Sequence, residues 1–465
     1  MAFSRFNRKD LSRRGCGRGG RDHTVYAYAQ VELTDRFVAW FDHRSPMHAL
    51  AYSPVKEGND LPALQSVIAK AADQMGCDAA SLLRQYPEIR LAVHDAAHIL
   101  HRRKGEAFGL ILSEALVKPA KEIFSLLGLS EQLLHPLPDF LPLDPAEIRK
   151  AVNHFLYCGA KSVAICLDQD ASSQSREEEI RSILHQAYPS HYLGSIPVLM
   201  PPACPAWKGQ QRLDSVIVSG YVRAALAQHI RSMIQFLRWM GFRGRFAARD
   251  VNGQYAPVAQ CDPWSFYAET CHRFQDAVRA WIEEHSVASG IAVCYHHDTV
   301  EIAIIGNGRI QSDPPSLSSR ITLSALALPA ADARHQSGHS GGHPGRDWTE
   351  EDDRRLWQWA DRLIPEIRKA AVQFGLQLLS ATPLFIYGNA GGLAGCAIAE
   401  RLGIQAFHMH LGRKLDPSDA SDFIESAEMG GPLFVTSYES LCRVLPGWKM
   451  QHPGNMSNWR LRRVR

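Results

Sequence analysis

Residues 383–407 read PLFIYGNAGGLAGCAIAERLGIQAF. An apolar run, Leu384 to Tyr387, meets a glycine-rich turn, Gly388-Asn389-Ala390-Gly391-Gly392; small and apolar residues then continue to Leu402, where Gly403 follows. That order predicts a strand, a glycine loop and a helix. The backbone N–H groups of such a loop, with a helix amino terminus behind them, suit an anion or a nucleotide, and glycine removes the Cβ that would block its approach. The same residues also make a ligand-free strand-to-helix turn, and the sequence alone leaves both readings open. Leu378 to Ala399 is uncharged and long enough to span a bilayer, but Pro383, Asn389 and four glycines inside it argue against a lipid-facing helix.

The same alternation recurs on the amino-terminal side. VYAYAQV (25–31) and RFVAWF (36–41) read as strands separated by Glu32 to Asp35, and a helix spans about Leu61 to Met75 with Leu61, Leu64, Ile68 and Ala72 on its period. Ile89 to Val93 and Ala107 to Leu112 are short strands with a helix between them. Asp144-Pro145 supplies an N-cap and a first-turn proline for a helix ending near Gly159, with KSVAICL (161–167) as a buried strand after it. A long helix runs from about Ser215 to Met240. Gly290 to Cys294 and Thr299 to Ile305 are strands, the second closed by the hairpin dipeptide Asn307-Gly308, and a helix covers about Thr349 to Phe374. No repeat shows at a fixed period. The pattern is that of a mostly parallel α/β protein in more than one domain.

The 465 residues are 45% hydrophobic and 21% charged, with a net charge of +3, which excludes disordered, collagenous and membrane classes and a bulk-charge nucleic-acid binder. The charge is uneven: residues 1–22 carry +5, residues 443–465 carry +6, and the body between them is acidic at −8. The two basic ends read either as solvated tails or as grips for an acidic partner, with nucleic acid the weaker option against an acidic body. The 10 cysteines form no C-x-x-C pair, and no apolar segment follows the basic amino terminus; a reducing, cytoplasmic setting without a secretory signal is expected.

FIYGNAGGLAGCAIAERLGIQAF resembles the adenosine-side loop of the A-type hydantoinase/oxoprolinase family, F-G-G-A-G-P-L-H-A-x-x-L-A-x-x-L-G-I. Three further stretches resemble that family in the same order: RLAVHDAAHILHRRKGEAFGLILSE (90–114), the run from PVLMPPACPAWKGQQRLDSVIVSGYV (197–222) to FAARDVNGQYAPVAQCDP (246–263), and VEIAIIGNGRI (300–310). The resemblance implies the actin/sugar-kinase/heat-shock ATPase fold, two RNase-H-like α/β lobes around a nucleotide cleft. It implies ATP and Mg²⁺ as cofactors, ATP-dependent cyclic amide hydrolysis or ketone carboxylation as the activity, and a B-type subunit as partner. The expected organisation is a disordered basic arm (1–23), an N-terminal part (24–132), and a central domain (133–328) entered through the proline-rich hinge LLHPLPDFLPLDP (133–145). A flexible Gly/His linker (329–348), the glycine-loop segment completing the second lobe (349–442) and a basic tail (443–465) follow. The family's C-terminal β-rich region is expected to be absent.

Within this resemblance the phosphate loops have changed. The family's D-x-G-G-T-x-T-D aligns with Tyr28 to Asp35, leaving only Thr34-Asp35, and its second loop, D-M-G-G-T-S-T-D, aligns with Cys294 to Glu301, where the leading aspartate and both glycines are gone. Residues with a Cβ at such turns crowd the phosphate space. Thr34, Asp35, Asp298 and Glu301 remain as candidate catalytic groups, and Gly388, Asn389, Ala390, Gly391 and Gly392 as the cofactor cradle. His94, His98 and His101 at helical spacing, and His296-His297, are candidate metal ligands; His335, His339 and His343 sit in the glycine-rich linker. The expected function is a subunit of an ATP-dependent amidohydrolase or carboxylase-type complex with weak or lost ATP chemistry. The alternative is a non-catalytic scaffold or regulatory pseudoenzyme. A homo-oligomer is compatible with either; a membrane partner is not expected.

Overall fold

β1 (Tyr28–Leu33), β2 (Phe37–Asp42) and β3 (His48–Pro54) form an antiparallel meander. In β1, Ala29, Val31 and Leu33 are buried on one face and Gln30 and Glu32 on the other, so both faces of this strand are covered. The computed structural model describes residues 28–33, 37–42, 48–55, 60–138, 142–167, 171–189, 196–202, 209–296, 299–311, 350–388, 391–410, 414–415, 428–430, 433–436, 441–445, 448–451 and 458–464. Helices α1 (Leu61–Gln74) and α2 (Ala79–Arg84) lead to β4 (Glu88–Val93), parallel to β1 on its other side.

A complete α/β unit is inserted next: α3 (Asp95–His101), β5 (Gly109–Ser113), α4 (Val117–Leu127), β6 (Leu134–Leu137), α5 (Pro145–Tyr157), β7 (Val163–Cys166), α6 (Ala171–Ala187) and β8 (Val198–Leu199). Its four strands are parallel in the order β6-β5-β7-β8. The Asp144 carboxylate accepts from the Ala146 N–H at 2.8 Å, so the expected cap does start α5. Helix α7 (Gly209–Trp239) returns the chain to the first sheet, where β9 (Arg245–Arg249) lies parallel to β4 and β10 (Tyr255–Pro257) forms the edge.

Helix α8 (Pro263–His285) then carries the chain to a second sheet built in the same way. β11 (Gly290–His296), β12 (Thr299–Gly306) and β13 (Arg309–Ile310) are antiparallel; α9 (Glu350–Gln373), β14 (Leu384–Tyr387), α10 (Gly391–Leu402) and β15 (Ala406–His410) follow, with β14 parallel to β11 and β15 parallel to β14. Asn307 and Gly308 take φ of 53° and 68° in the β12–β13 turn, as the dipeptide predicts. The strand orders β3-β2-β1-β4-β9 and β13-β12-β11-β14-β15 are identical in pattern and direction, so the chain holds two copies of one lobe topology. The remaining strands are β16 (Lys414–Leu415), which joins β3, then β17 (Glu428–Gly430), β18 (Leu433–Thr436), β19 (Leu441–Val444), β20 (Trp448–Gln451) and β21 (Asn458–Arg463).

Two expectations change. The proline-rich hinge contains β6, whose Leu134 to Leu137 pair with Leu110 to Ser113 of β5; the expected boundary at 133 therefore runs through one sheet. An edge strand tolerates Pro136 because one side of it needs no ladder hydrogen bonds. The basic tail is also pleated: β21 pairs with β15 and with β20, burying Trp448, Met450 and Leu461 while Arg460, Arg462 and Arg463 stay exposed. Trp448 Nε1 donates to Glu400 Oε1 at 2.8 Å, fastening the extension to α10. The basic arm and the Gly/His linker, with His335, His339 and His343, lie outside the described residues.

His408, opposite Arg460 in this extension, has its pKa pushed down to about 4 by burial, by the His285 ring 4.2 Å away and by Arg460. The unfolded chain therefore takes up this proton first, and the neutral ring stabilises the fold above about pH 6.5 and ceases to do so as pH falls through about 4. Between pH 6.5 and 4.5, His408→Asn should lose less Tm than the wild type; equal losses would show that the ring is not held neutral.

Candidate functional site

Helix α8 is the element on which both lobes close. Asp262 caps it, accepting from the Trp264 N–H at 2.8 Å, and Pro263 occupies the first turn. Its amino-terminal half buries Phe266 and Tyr267 in the core of the first lobe. Its carboxy-terminal half buries Phe274, Val278, Trp281 and Ile282 against Ala292, Cys294, Ala303, Ile305 and Phe385 of the second sheet. Trp281 stacks on Phe385 with ring centres 5.0 Å apart, and Phe274 lies 5.9 Å from Tyr387, the last residue of β14. Arg273 stands where the two halves meet.

Arg273 Nη1 donates to Glu32 Oε1 near the carboxyl end of β1, and Arg273 Nε donates to Glu269 Oε1 at 3.1 Å. His94, immediately after β4, places Nε2 3.2 Å from the same Glu32 oxygen. Glu269 also faces Arg249 Nε at 3.8 Å, and Arg249 Nη1 donates to Asp276 Oδ2 at 3.0 Å. Glu32 is completely buried. Burial by itself would weaken the Arg273 charge, but Glu32, Glu269 and Tyr387 outweigh it and hold the pKa well above the ordinary arginine value. For His272 burial wins over Glu269, and its pKa is lowered.

On the second lobe, Gly388 follows β14, buried and with φ at 102°, a left-handed geometry that disfavours a Cβ. Gly391 opens α10, and Asn389 and Ala390 lie outside the described residues. Gly388 thus follows a strand and Gly391 begins a helix, as the sequence predicts. Glu301 is buried on the α8 face of β12, opposite Cys294. Thr34, Asp35, His297 and Asp298 lie outside the described residues.

The positions matched to the first phosphate loop lie elsewhere than expected. Gln30 and Val31, aligned with its glycines, are inside β1 and paired to β2 and β4, so the connection to β2 starts only at Thr34. Likewise Cys294 and Tyr295 are inside β11, and only His297 and Asp298 connect it to β12. Of the histidine candidates, His94 turns into the Glu32 cluster; among the described residues no three metal-ligating side chains converge. Helix α8, Glu269 and Arg273 escaped the sequence reading, although Asp262-Pro263 repeats the cap signal of Asp144-Pro145.

Acetone carboxylase in a nucleotide-free structure superposes with a TM-score of 0.56 at 12% identity, covering 83% of this chain and 69% of that one. The chain has the fold of acetone carboxylase. The ATP-dependent caprolactamase of Pseudomonas jessenii superposes with a TM-score of 0.53 at 15% identity, over 83% of this chain and 69% of the other. With both neighbours the chain shares its fold, here two α/β lobes of the same strand order. In sequence, the acetophenone carboxylase gamma subunit of Aromatoleum aromaticum is 20% identical over 223 residues, covering 42% of this chain. The match spans only 30% of that subunit's length. No family model matches the chain.

With a Cβ at Gly388 the turn must strain, so Gly388→Ala should cost about 1–2 kcal/mol in urea unfolding. A variant as stable as the wild type would contradict the described backbone.

Proposed function

We propose that this chain is a divergent subunit of an ATP-dependent carboxylase- or cyclic-amide-hydrolase-type complex in which phosphate chemistry has decayed while the nucleotide-side turn persists. The observation that carries this reading is the contrast between the turn after β14 and the two hairpin connections matched to the phosphate loops. On one side Gly388 keeps a positive φ ahead of the α10 amino terminus, the geometry of an anion or nucleotide cradle. Against it, neither hairpin connection, Thr34 to Arg36 in the first lobe or His297-Asp298 in the second, contains a glycine, and the β1 carboxylate is already engaged by Arg273. ATP would rest on Gly388 and the first turn of α10. A metal ion would find no free carboxylate at Glu32, and the chemistry it supplies, charge neutralisation on the transferring phosphoryl group, is the part this arrangement does not support.

The relatives include an acetophenone carboxylase gamma subunit, an acetone carboxylase and an ATP-dependent caprolactamase, which supports another subunit as partner, and we take a B-type subunit to be that partner. In the described residues no helix is long and apolar enough to cross a membrane. An adenosine cradle without phosphate contacts offers binding but little transition-state stabilisation. Purified chain should therefore release phosphate from ATP no faster than Gly391→Asp, with or without Mg²⁺. Steady-state turnover of about 1 s⁻¹, the low end for phosphoryl-transfer enzymes, would overturn the reading.

A further inference from the structure

We propose that Arg273 is a built-in cation: its guanidinium neutralises Glu32 at the strand ends of the first lobe in place of a bound divalent metal, and it ties the two lobes together through α8. The inference rests on the functional reading above and deepens it by naming what fills the position. In open α/β sheets, ligands enter the crevice outside the carboxyl ends of the strands. Glu32 and His94 are the side chains at those ends of β1 and β4, and Arg273 is pinned directly against them.

Three features make the substitution specific. Glu32 is completely buried, where a lone carboxylate is strongly disfavoured, so some cation has to accompany it. Arg273 supplies that cation from a rigid fork, using Nη1 for Glu32 and Nε for Glu269, so one planar group serves carboxylates from two elements. The cluster is also balanced: Glu32, Glu269 and Asp276 meet Arg273, Arg249 and Arg279, the last donating to Asp276 Oδ1 at 2.9 Å. Among the described residues of this cluster, three carboxylates are matched by three guanidinium groups, which leaves them no surplus negative charge to draw in a divalent ion. Phe274, next to Arg273 on α8, is buried in the second-sheet core beside Tyr387, so the stretch of helix that carries Arg273 is anchored to the second lobe. The same pair that excludes the metal therefore holds the lobes in their relative position.

Mn²⁺ titration of the full chain without nucleotide, followed by electron paramagnetic resonance, tests the proposal directly. The wild type should show no stoichiometric Mn²⁺ site, and 1:1 binding that disappears in Glu32→Gln would overturn the proposal. Arg273→Met should lower Tm by about 5 °C or more, because it orphans a buried carboxylate. Adding Glu32→Gln to Arg273→Met should recover at least half of that loss, and a double variant no more stable than the single one would also overturn it. If Arg273→Met does not fold, the Mn²⁺ comparison of wild type with Glu32→Gln still decides. Rapid phosphate release with no Mn²⁺ site would overturn the functional reading alone, whereas a Mn²⁺ site through Glu32 without hydrolysis would overturn this inference alone.

Discussion

Burying Glu32 inside β1 and Arg273 on α8 leaves each dependent on the other. A charge in the interior of a sheet is tolerated only when an opposite charge and hydrogen bonds accompany it, and removing one partner of such a pair costs about 3–5 kcal/mol. This pair joins residues 241 positions apart in the chain. Its formation requires β1 to be paired with β4, α8 to be capped at Asp262, and Phe274 and Trp281 to be seated against the second sheet. This one contact thus joins the lobe arrangement to the chemistry of the junction.

Two lobes of identical strand order would lead one to expect two similar strand-end sites. They differ because the residues around α8 differ. The first lobe presents Glu32 and His94 to a guanidinium, while the second presents an aromatic face, Phe385 and Tyr387, and a glycine turn. The proposed reading separates binding from catalysis: backbone N–H groups at a helix amino terminus favour an anion, but phosphoryl transfer also needs metal and phosphate contacts. An arginine fixed by two carboxylates can supply charge balance there, but it cannot exchange ligands as a metal does.

Features set by neighbours in sequence were legible. The strand, turn and helix around Gly388, the capped α5, α1 and the Asn307-Gly308 hairpin all follow from local rules of capping, period and turn chemistry. What depends on distant partners was not. Glu32 reads as a turn residue because it is charged, but it pairs with Ala39 and Ala92 inside the sheet, where Arg273 supplies the opposite charge its burial needs. Leu134 to Leu137 reads as hinge because of its prolines, and only edge placement beside β5 makes it a strand. Arg460, Arg462 and Arg463 read as tail by charge, although Leu461 between them keeps the alternation of a half-buried strand. The lobe duplication leaves no sequence period because what repeats is strand order rather than residues.

The central claim is that nucleotide affinity in this protein no longer depends on metal. Calorimetric titration of the full chain with ATP, with and without Mg²⁺, measures that dependence directly. The account predicts weak binding whose Kd changes by less than about twofold when Mg²⁺ is added. A tightening of about tenfold or more, equivalent to roughly 1.4 kcal/mol of metal-bridged interaction, would contradict it.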